Sequence, residues 1–147
     1  MVYGSEKILR CEKSCGAIVY RIEKEEIHIL LVQMNRGHWS FPKGNIKRSE
    51  TEDQTALREL KEETNLEIEI FDGFKQPVSF LSETNTLKDV IYILAKPKSL
   101  IIHRQETEIR SIHWFKFEEA LDILTYDKDN EILKKALLRI NDIQRIL

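Results

Sequence analysis

Nothing in this 147-residue sequence supplies a field of one sign, since 23 Lys and Arg stand against 25 Asp and Glu for a formal charge of −2. That balance excludes tight non-specific binding to a nucleic-acid backbone, so no stable nucleic-acid complex is expected. A polyanionic ligand would have to be held by a local cluster or through metal. Long apolar runs are absent too. No stretch approaches the roughly 18 residues that span a bilayer, and the opening "MVYGSEKILR" lacks the apolar core of a signal peptide. A soluble, cytoplasmic protein without a membrane partner is expected. Cysteine is scarce: Cys11 and Cys15 are separated by "EKS", while His28, His38, His103 and His113 are scattered, so the further ligands of a zinc site are missing. Two reduced thiols near a strand, in a reducing compartment, are the reading. No repeat, low-complexity tract or Pro/Gly/Ser-rich linker interrupts the chain. With 41% hydrophobic residues it can build one proper core, and residues 1–147 are expected to form a single domain.

What is present is apolar patterning with clear punctuation. "CGAIVYRI" and "IHILLVQM" are β-branched, apolar segments around the charged "EKEE", which predicts two strands joined by a solvated turn, the first beginning near Ser14 and the second ending near Met34. "NRGHWSFPKGN" is rich in turn formers and contains Pro42, so a loop is expected. Thr51 and Gln54 in "TEDQ" have the spacing of a capping box, ahead of a helix with Ala56, Leu57, Leu60 and Thr64 on one face. Asn65 should end it, because asparagine tolerates the left-handed conformation just past helix ends. "LEIEIFDGF", "QPVSFLSE", "KDVIYILAKP" and "IRSIHWFKF" follow as strands, then "FEEALDIL" and an amphipathic "NEILKKALLRINDIQRIL" as helices, the last packing on the domain. Strands on both sides of one central helix, with helices again at the end, predict an α+β fold: an α/β/α sandwich around a mixed sheet.

The helix carries an electrostatic difficulty. Glu59, Glu62 and Glu63 are three and four residues apart, so their carboxylates occupy adjoining positions and repel. Arg58 and Lys61 can offset part of this through ion pairs worth a few tenths of a kcal/mol each. A solvated charged face is one explanation. The other is a hard divalent cation, Mg²⁺ or Mn²⁺, which takes oxygen ligands and shares them with substrate phosphates.

Spacing around the acids separates these. From Gly44 the chain reads glycine, five residues, Glu50, seven residues, then "RELKEETNL". This resembles the Nudix box, with Gly44, Glu50, Arg58, Glu59, Leu60, Glu62, Glu63 and Leu66 in register and Asn65 where the family has glycine. The resemblance implies a loop-helix-loop that binds divalent metal, in a hydrolase cleaving a nucleoside diphosphate linked to another moiety. Glu59, Glu62 and Glu63 then look like metal ligands, Glu50 a support, Arg58 a holder of glutamate orientation, and Gly44 structural.

Outside the box, "GHWSFPKG", "GFKQPVSF", "LKDVIYILA" and "ETEIRSIHWFKFEEA" are similar to asymmetrical diadenosine tetraphosphate hydrolases, from about Ser14 to Leu124. By that resemblance His38, Lys43 and Lys88 look like phosphate contacts, each a donor suited to an anionic oxygen. The plainer readings are solvated lysines and a loop histidine packed on Trp39. Phe80 and Tyr92 match aromatic positions that can sandwich an adenine, or else fill the core. Glu108 matches a glutamate outside the box that looks like a further metal ligand or general base, with Glu106 as its substitute and a surface carboxylate as the plain alternative.

The implied reaction is attack of water on one phosphorus of a dinucleoside polyphosphate, in line with the departing nucleotide, with a box glutamate or Glu108 taking the proton. Diadenosine tetraphosphate would yield ATP and AMP. Two alternatives stand beside it: pyrophosphatase action on nucleoside triphosphates or 5′-triphosphate RNA, and a nucleotide-binding module without turnover.

Overall fold

β-Branched and aromatic side chains crowd the segments that fold as strands, and their period-two alternation decides which helix covers which face. The computed structural model describes residues 2–3 and 6–146, with backbone alone for residues 2, 3, 6 and 7. Its elements are β1 (Val2–Tyr3), β2 (Glu6–Lys7), β3 (Arg10–Glu23), β4 (Glu26–Met34), β5 (Trp39–Ser40), β6 (Lys43–Asn45), α1 (Glu52–Thr64), β7 (Ile68–Leu81), β8 (Thr86–Pro97), β9 (Ile109–Lys116), α2 (Phe117–Ile123) and α3 (Asp127–Ile146). β1 and β2 pair with each other. The other strands form a mixed sheet in the order β5-β4-β3-β8-β7, with β6 added to β3 and β9 to β4. β3 is shared along its length: Arg10 to Val19 run parallel to β8, and Tyr20 to Glu23 pair antiparallel with β4.

Alternation along β3 builds two cores. Cys15, Ala17 and Val19 face α1 and meet Ala56 and Leu60, whereas Ile18 and Tyr20 face the other way, into a cluster with Ala120 of α2 and Leu133 and Ile140 of α3. The result is the expected α/β/α sandwich. Ile132, Leu133, Ala136, Ile140 and Ile143 all lie buried, so the C-terminal helix packs on the sheet as its spacing predicts. Each large side chain among them contributes about 1.5–3 kcal/mol. Both cysteines are free and on β3, Cys11 exposed and Cys15 buried. Among the described residues no helix is long and apolar enough to cross a membrane.

Several boundaries differ from the sequence reading, those of β3, β5 and β6 through partners distant in the chain. β3 starts at Arg10 rather than near Ser14, because the parallel partner β8 extends far enough to pair Thr86 with Arg10. The expected loop "NRGHWSFPKGN" contains β5 and β6, which pair with Val32–Gln33 and with Ser14–Gly16. "LEIEIFDGF" and "QPVSFLSE" form one strand, β7, broken by a bulge between Phe71 and Lys75 where Gly73 takes φ 88°. Phe117 belongs to α2 rather than to the preceding strand, and α3 begins at Asp127, ahead of "NEIL". Leu57 is 39% exposed and does not share the buried face of Ala56, Leu60 and Thr64. At about 100° per residue it falls just past the edge of that face.

Both ends of α1 follow their signals. Thr51 Oγ1 accepts from the Gln54 amide at 3.1 Å, and Gln54 Oε1 accepts from the Thr51 amide at 2.9 Å, closing the capping box. Asn65 ends the helix in the left-handed region at φ 67°.

Candidate active site

Helical rotation gives the three acids of α1 unequal surroundings. Glu63 sits seven residues after Ala56, two turns along the same face, and is 3% exposed. Glu59 lies beside that face with a mostly covered side chain, and Glu62 lies at its edge, about half open to solvent. Gly44 explains how Glu59 is accommodated. A Cβ at Gly44 would collide with the Glu59 carboxylate, so glycine there leaves that carboxylate the room it occupies.

Arg58 organises the cluster. Its Nε donates to Glu50 Oε2 at 2.7 Å and Nη2 to Glu50 Oε1 at 2.9 Å, a bidentate fork. Nη1 donates to Glu59 Oε1 at 2.7 Å and to Glu62 Oε2 at 3.3 Å, and Nη2 also reaches the Asn45 carbonyl at 2.9 Å. Glu50 additionally accepts from the Thr55 hydroxyl at 3.0 Å and the Lys47 amide at 2.9 Å. Hydrogen bonding from Arg58 holds the Glu50 carboxyl down at about 2. With its oxygens so occupied, Glu50 is a bracket between loop and helix. Two glutamates rather than one are held by Arg58 on α1 itself.

Glu63 is the reverse case. Burial, then the charge of Glu59, pushes its carboxyl up to about 9, with Glu108 adding to the effect and Lys43 opposing it. Glu108 precedes β9, and its carbonyl accepts from the Asn35 amide at 3.0 Å. Of Glu106 and Glu108, it is Glu108 whose charge reaches Glu63. Among the described residues no three His, Cys, Asp or Glu side chains converge as a ready-made cage. What the chain does present is an all-oxygen donor set, Glu59, Glu62, Glu63 and Glu108, with more negative charge than its neighbouring cations offset. That chemistry fits a hard divalent cation, and Glu63 is the carboxyl whose charged form burial and the neighbouring acids disfavour.

Lys43 connects this cluster to a cavity of about 480 Å³. It is half-buried, and burial lowers its pKa while Glu63, Asp129 and Glu59 raise it and Lys88 lowers it further. Its place is fixed by Gly16: a Cβ there would meet the Pro42 carbonyl and the Lys43 side chain, and the Ala17 amide donates to Pro42 O at 3.2 Å. Lys88, His38 and Phe80 also line the cavity, so the structure gathers these sequence candidates in one place. Burial, Lys43 and Arg36 lower the His38 pKa, leaving a neutral imidazole that can still donate one hydrogen bond. Its aromatic neighbour is Tyr126, at 5.8 Å between centroids, and not Trp39, which packs on Phe115 and His113. Tyr92 floors the cavity but is 1% exposed, with Phe41 edge-on at 5.2 Å. A stacking partner needs an open face, and the Tyr92 ring is core.

The cavity residues that the sequence reading did not single out include Arg36, Tyr126, Asp127, Lys128 and Asp129. Those at the start of α3 depend on one long-range tie. The Trp39 amide donates to Thr125 Oγ1 at 2.8 Å and the Thr125 amide to the Trp39 carbonyl at 3.2 Å, which brings the start of α3 beside β5. Tyr126 is 54% exposed and Phe80 39%, two aromatic rings open to the same cavity. An aromatic residue next to a helix start was the local signal for Tyr126, but nothing local places it opposite β5 and β7.

The arrangement has known counterparts. The NUDIX domain model matches residues 12–137. Bis(5'-nucleosyl)-tetraphosphatase [asymmetrical] of Mus musculus is 30% identical over 136 residues, covering 84% of this chain and 92% of that protein. Its Caenorhabditis elegans namesake is 30% identical over 128 residues, again covering 84% and 92%. The crystal structure of a C. elegans Ap4A hydrolase binary complex superposes with a TM-score of 0.83 at 28% identity, covering 89% of this chain and 98% of that one. With the box, the sandwich and the cavity in agreement, the chain belongs to the NUDIX domain family and is a Nudix hydrolase, homologous to the asymmetrical bis(5'-nucleosyl)-tetraphosphatases.

Proposed function

We propose that this chain hydrolyses dinucleoside polyphosphates, diadenosine tetraphosphate to ATP and AMP in particular, with a divalent cation, Mg²⁺ or Mn²⁺, as cofactor. The observation that carries this reading is the junction at Lys43 between a buried acid cluster and a cavity lined by cations and open aromatic rings. A polyphosphate ester needs both halves. Lys43, Lys88, Arg36 and Lys128 supply positive charge for the phosphate chain, and neutral His38 adds a donor. Phe80 and Tyr126 offer faces for a base, each stack being worth about 1–3 kcal/mol.

Glu59, Glu62, Glu63 and Glu108 are the residues that would hold the cation. When bound, it would stabilise charge developing on the phosphoryl oxygens and ease deprotonation of the attacking water. The chain's own part is to orient and to move one proton. Arg58 fixes the Glu59 and Glu62 carboxylates, and a carboxylate of the cluster takes the proton from water. Because Glu59, Glu63 and Glu108 influence one another, the base belongs to the coupled group rather than to a single residue. Similarity to tetraphosphatases over most of both chains supports the substrate.

The test is a competition among diadenosine tetraphosphate, dNTPs, ADP-ribose, diphosphoinositol phosphates, capped RNA and 5′-triphosphate RNA, with products separated by chromatography. Diadenosine tetraphosphate should show the highest kcat/KM, giving ATP and AMP only when Mg²⁺ or Mn²⁺ is supplied. Faster cleavage of a mononucleotide or RNA 5′ end would overturn the reading.

A further inference from the structure

Asp129 is the buried carboxylate of the cavity, and phosphate binding does not explain it. It is 6% exposed, and the cavity wall around it carries the cations and rings described above together with the exposed Asp127. Burial pushes its carboxyl up to about 6, with only the charge of Lys43 acting the other way. No described residue donates a hydrogen bond to its carboxylate, and Lys43 acts on it through its charge alone. Its oxygens therefore keep hydrogen-bonding capacity that no described residue uses, in the cavity that Asp129 lines.

Its position in the helix sharpens the contrast. Gln54 and Glu119 are the third residues of α1 and α2, and each reaches back to accept from the amide just before its helix, at 2.9 and 2.8 Å. Asp129 is the third residue of α3, yet it makes no such bond and lines the cavity instead. Helix capping therefore does not account for it.

A carboxylate repels phosphate, so the group that meets Asp129 has to be another part of the ligand. At pH 7.5 the group is ionised and only accepts, so it takes an N–H or an O–H donor; a ribose hydroxyl would serve every nucleotide alike, whereas an N–H on the base would distinguish one base from another. Among nucleotides the base edge supplies one. Guanine presents two adjacent donors, N1–H and the 2-amino group. Adenine presents its amino group beside the acceptor N1, and uracil a single N–H between two carbonyls. Resting on the nucleotide-hydrolase reading above, we infer that Asp129 reads the edge of a base held against Phe80 and Tyr126, accepting its N–H and ranking nucleotides by base. Substitution by asparagine keeps the size, but pairs an acceptor with a donor, the pattern that suits adenine.

Equilibrium binding of GMP, AMP and UMP, which are not turned over, to the full chain and to Asp129→Asn and Asp129→Ser tests this by calorimetry. The GMP-to-AMP affinity ratio should fall about tenfold in Asp129→Asn. Asp129→Ser should lower the same ratio, with or without the asparagine variant folding well. Because each ratio is taken on a single protein, a change in stability alone would weaken both nucleotides together and leave it fixed. Ratios unchanged within twofold in both variants, or no nucleotide binding to the wild type, would overturn the inference. Failure of the wild type to cleave any dinucleoside tetraphosphate overturns the proposed function separately, while the mononucleotide ratios still report on Asp129.

Discussion

Arg58 grips Glu50 through two parallel hydrogen bonds, Nε to Oε2 at 2.7 Å and Nη2 to Oε1 at 2.9 Å, and so ties the loop before α1 to its second turn. A planar fork is needed for this, which lysine cannot supply. Glu50 is held down from 4.5 to about 2, so the folded state favours its ionised form. The stabilisation is therefore complete above about 4.5 and lost as pH falls toward 2. Melting curves of wild type and Glu50→Gln should differ at neutral pH, with the variant lower, and converge as the pH approaches 2. A gap that persists to the acid limit would assign Glu50 a role other than this ion pair.

Gly44→Ala tests the contact between β6 and α1. The added methyl has to displace the Glu59 carboxylate, which Arg58 holds from the other side. Displacement of one acid by even an ångström should lower kcat by about 10²-fold. Since Gly44 does not lie in either hydrophobic core, the melting temperature should fall much less than activity. A variant with wild-type kcat would show that Glu59 can move freely.

Sequence and structure part company where contacts cross the chain. The capping box of Thr51 and Gln54 and the left-handed Asn65 were legible because each is settled within a few residues. The acids of the box were legible through fixed spacing; that Glu63 is buried while Glu62 stays open follows from Glu63 repeating the position of Ala56 two turns on, once packing against β3 shows that Ala56 faces the core. Tyr92 and Phe80 looked alike as aromatic residues in strands. They differ because Tyr92 points under α3 and Phe80 lies at the edge strand β7, a distinction that needs the strand order. Asp129 and Tyr126 were invisible because their place depends on Thr125 meeting Trp39, 86 positions away.

Glu63→Gln should separate stability from function. Glu63 is buried among acids, so without cation its ionised form is disfavoured, and a neutral amide of the same size relieves the conflict. In EDTA the variant should melt a few degrees higher than wild type, corresponding to about 1 kcal/mol. Activity with Mg²⁺ should be lost, and addition of Mg²⁺ should raise the melting temperature of the wild type more than that of the variant. Equal shifts in both proteins would remove Glu63 from the cation site.

Phe80 and Tyr126 are the open rings of the cavity, and each is expected to contribute stacking energy to a bound base. Truncation of either to alanine removes about 1–3 kcal/mol, which corresponds to an increase of roughly 5- to 150-fold in KM for diadenosine tetraphosphate with a smaller change in kcat. Leucine at either site keeps apolar area but no π-face, so it should restore only part of the affinity. Tyr92→Phe provides the contrast: its ring is 1% exposed, and loss of the hydroxyl should leave the KM of the base-containing substrate near wild type. If Phe80 and Tyr126 hold the same base, the double variant should lose less than the sum of the two single losses in free energy, because the second truncation acts on a base that is no longer clamped. Additive losses would place the two rings on different bases of the dinucleotide.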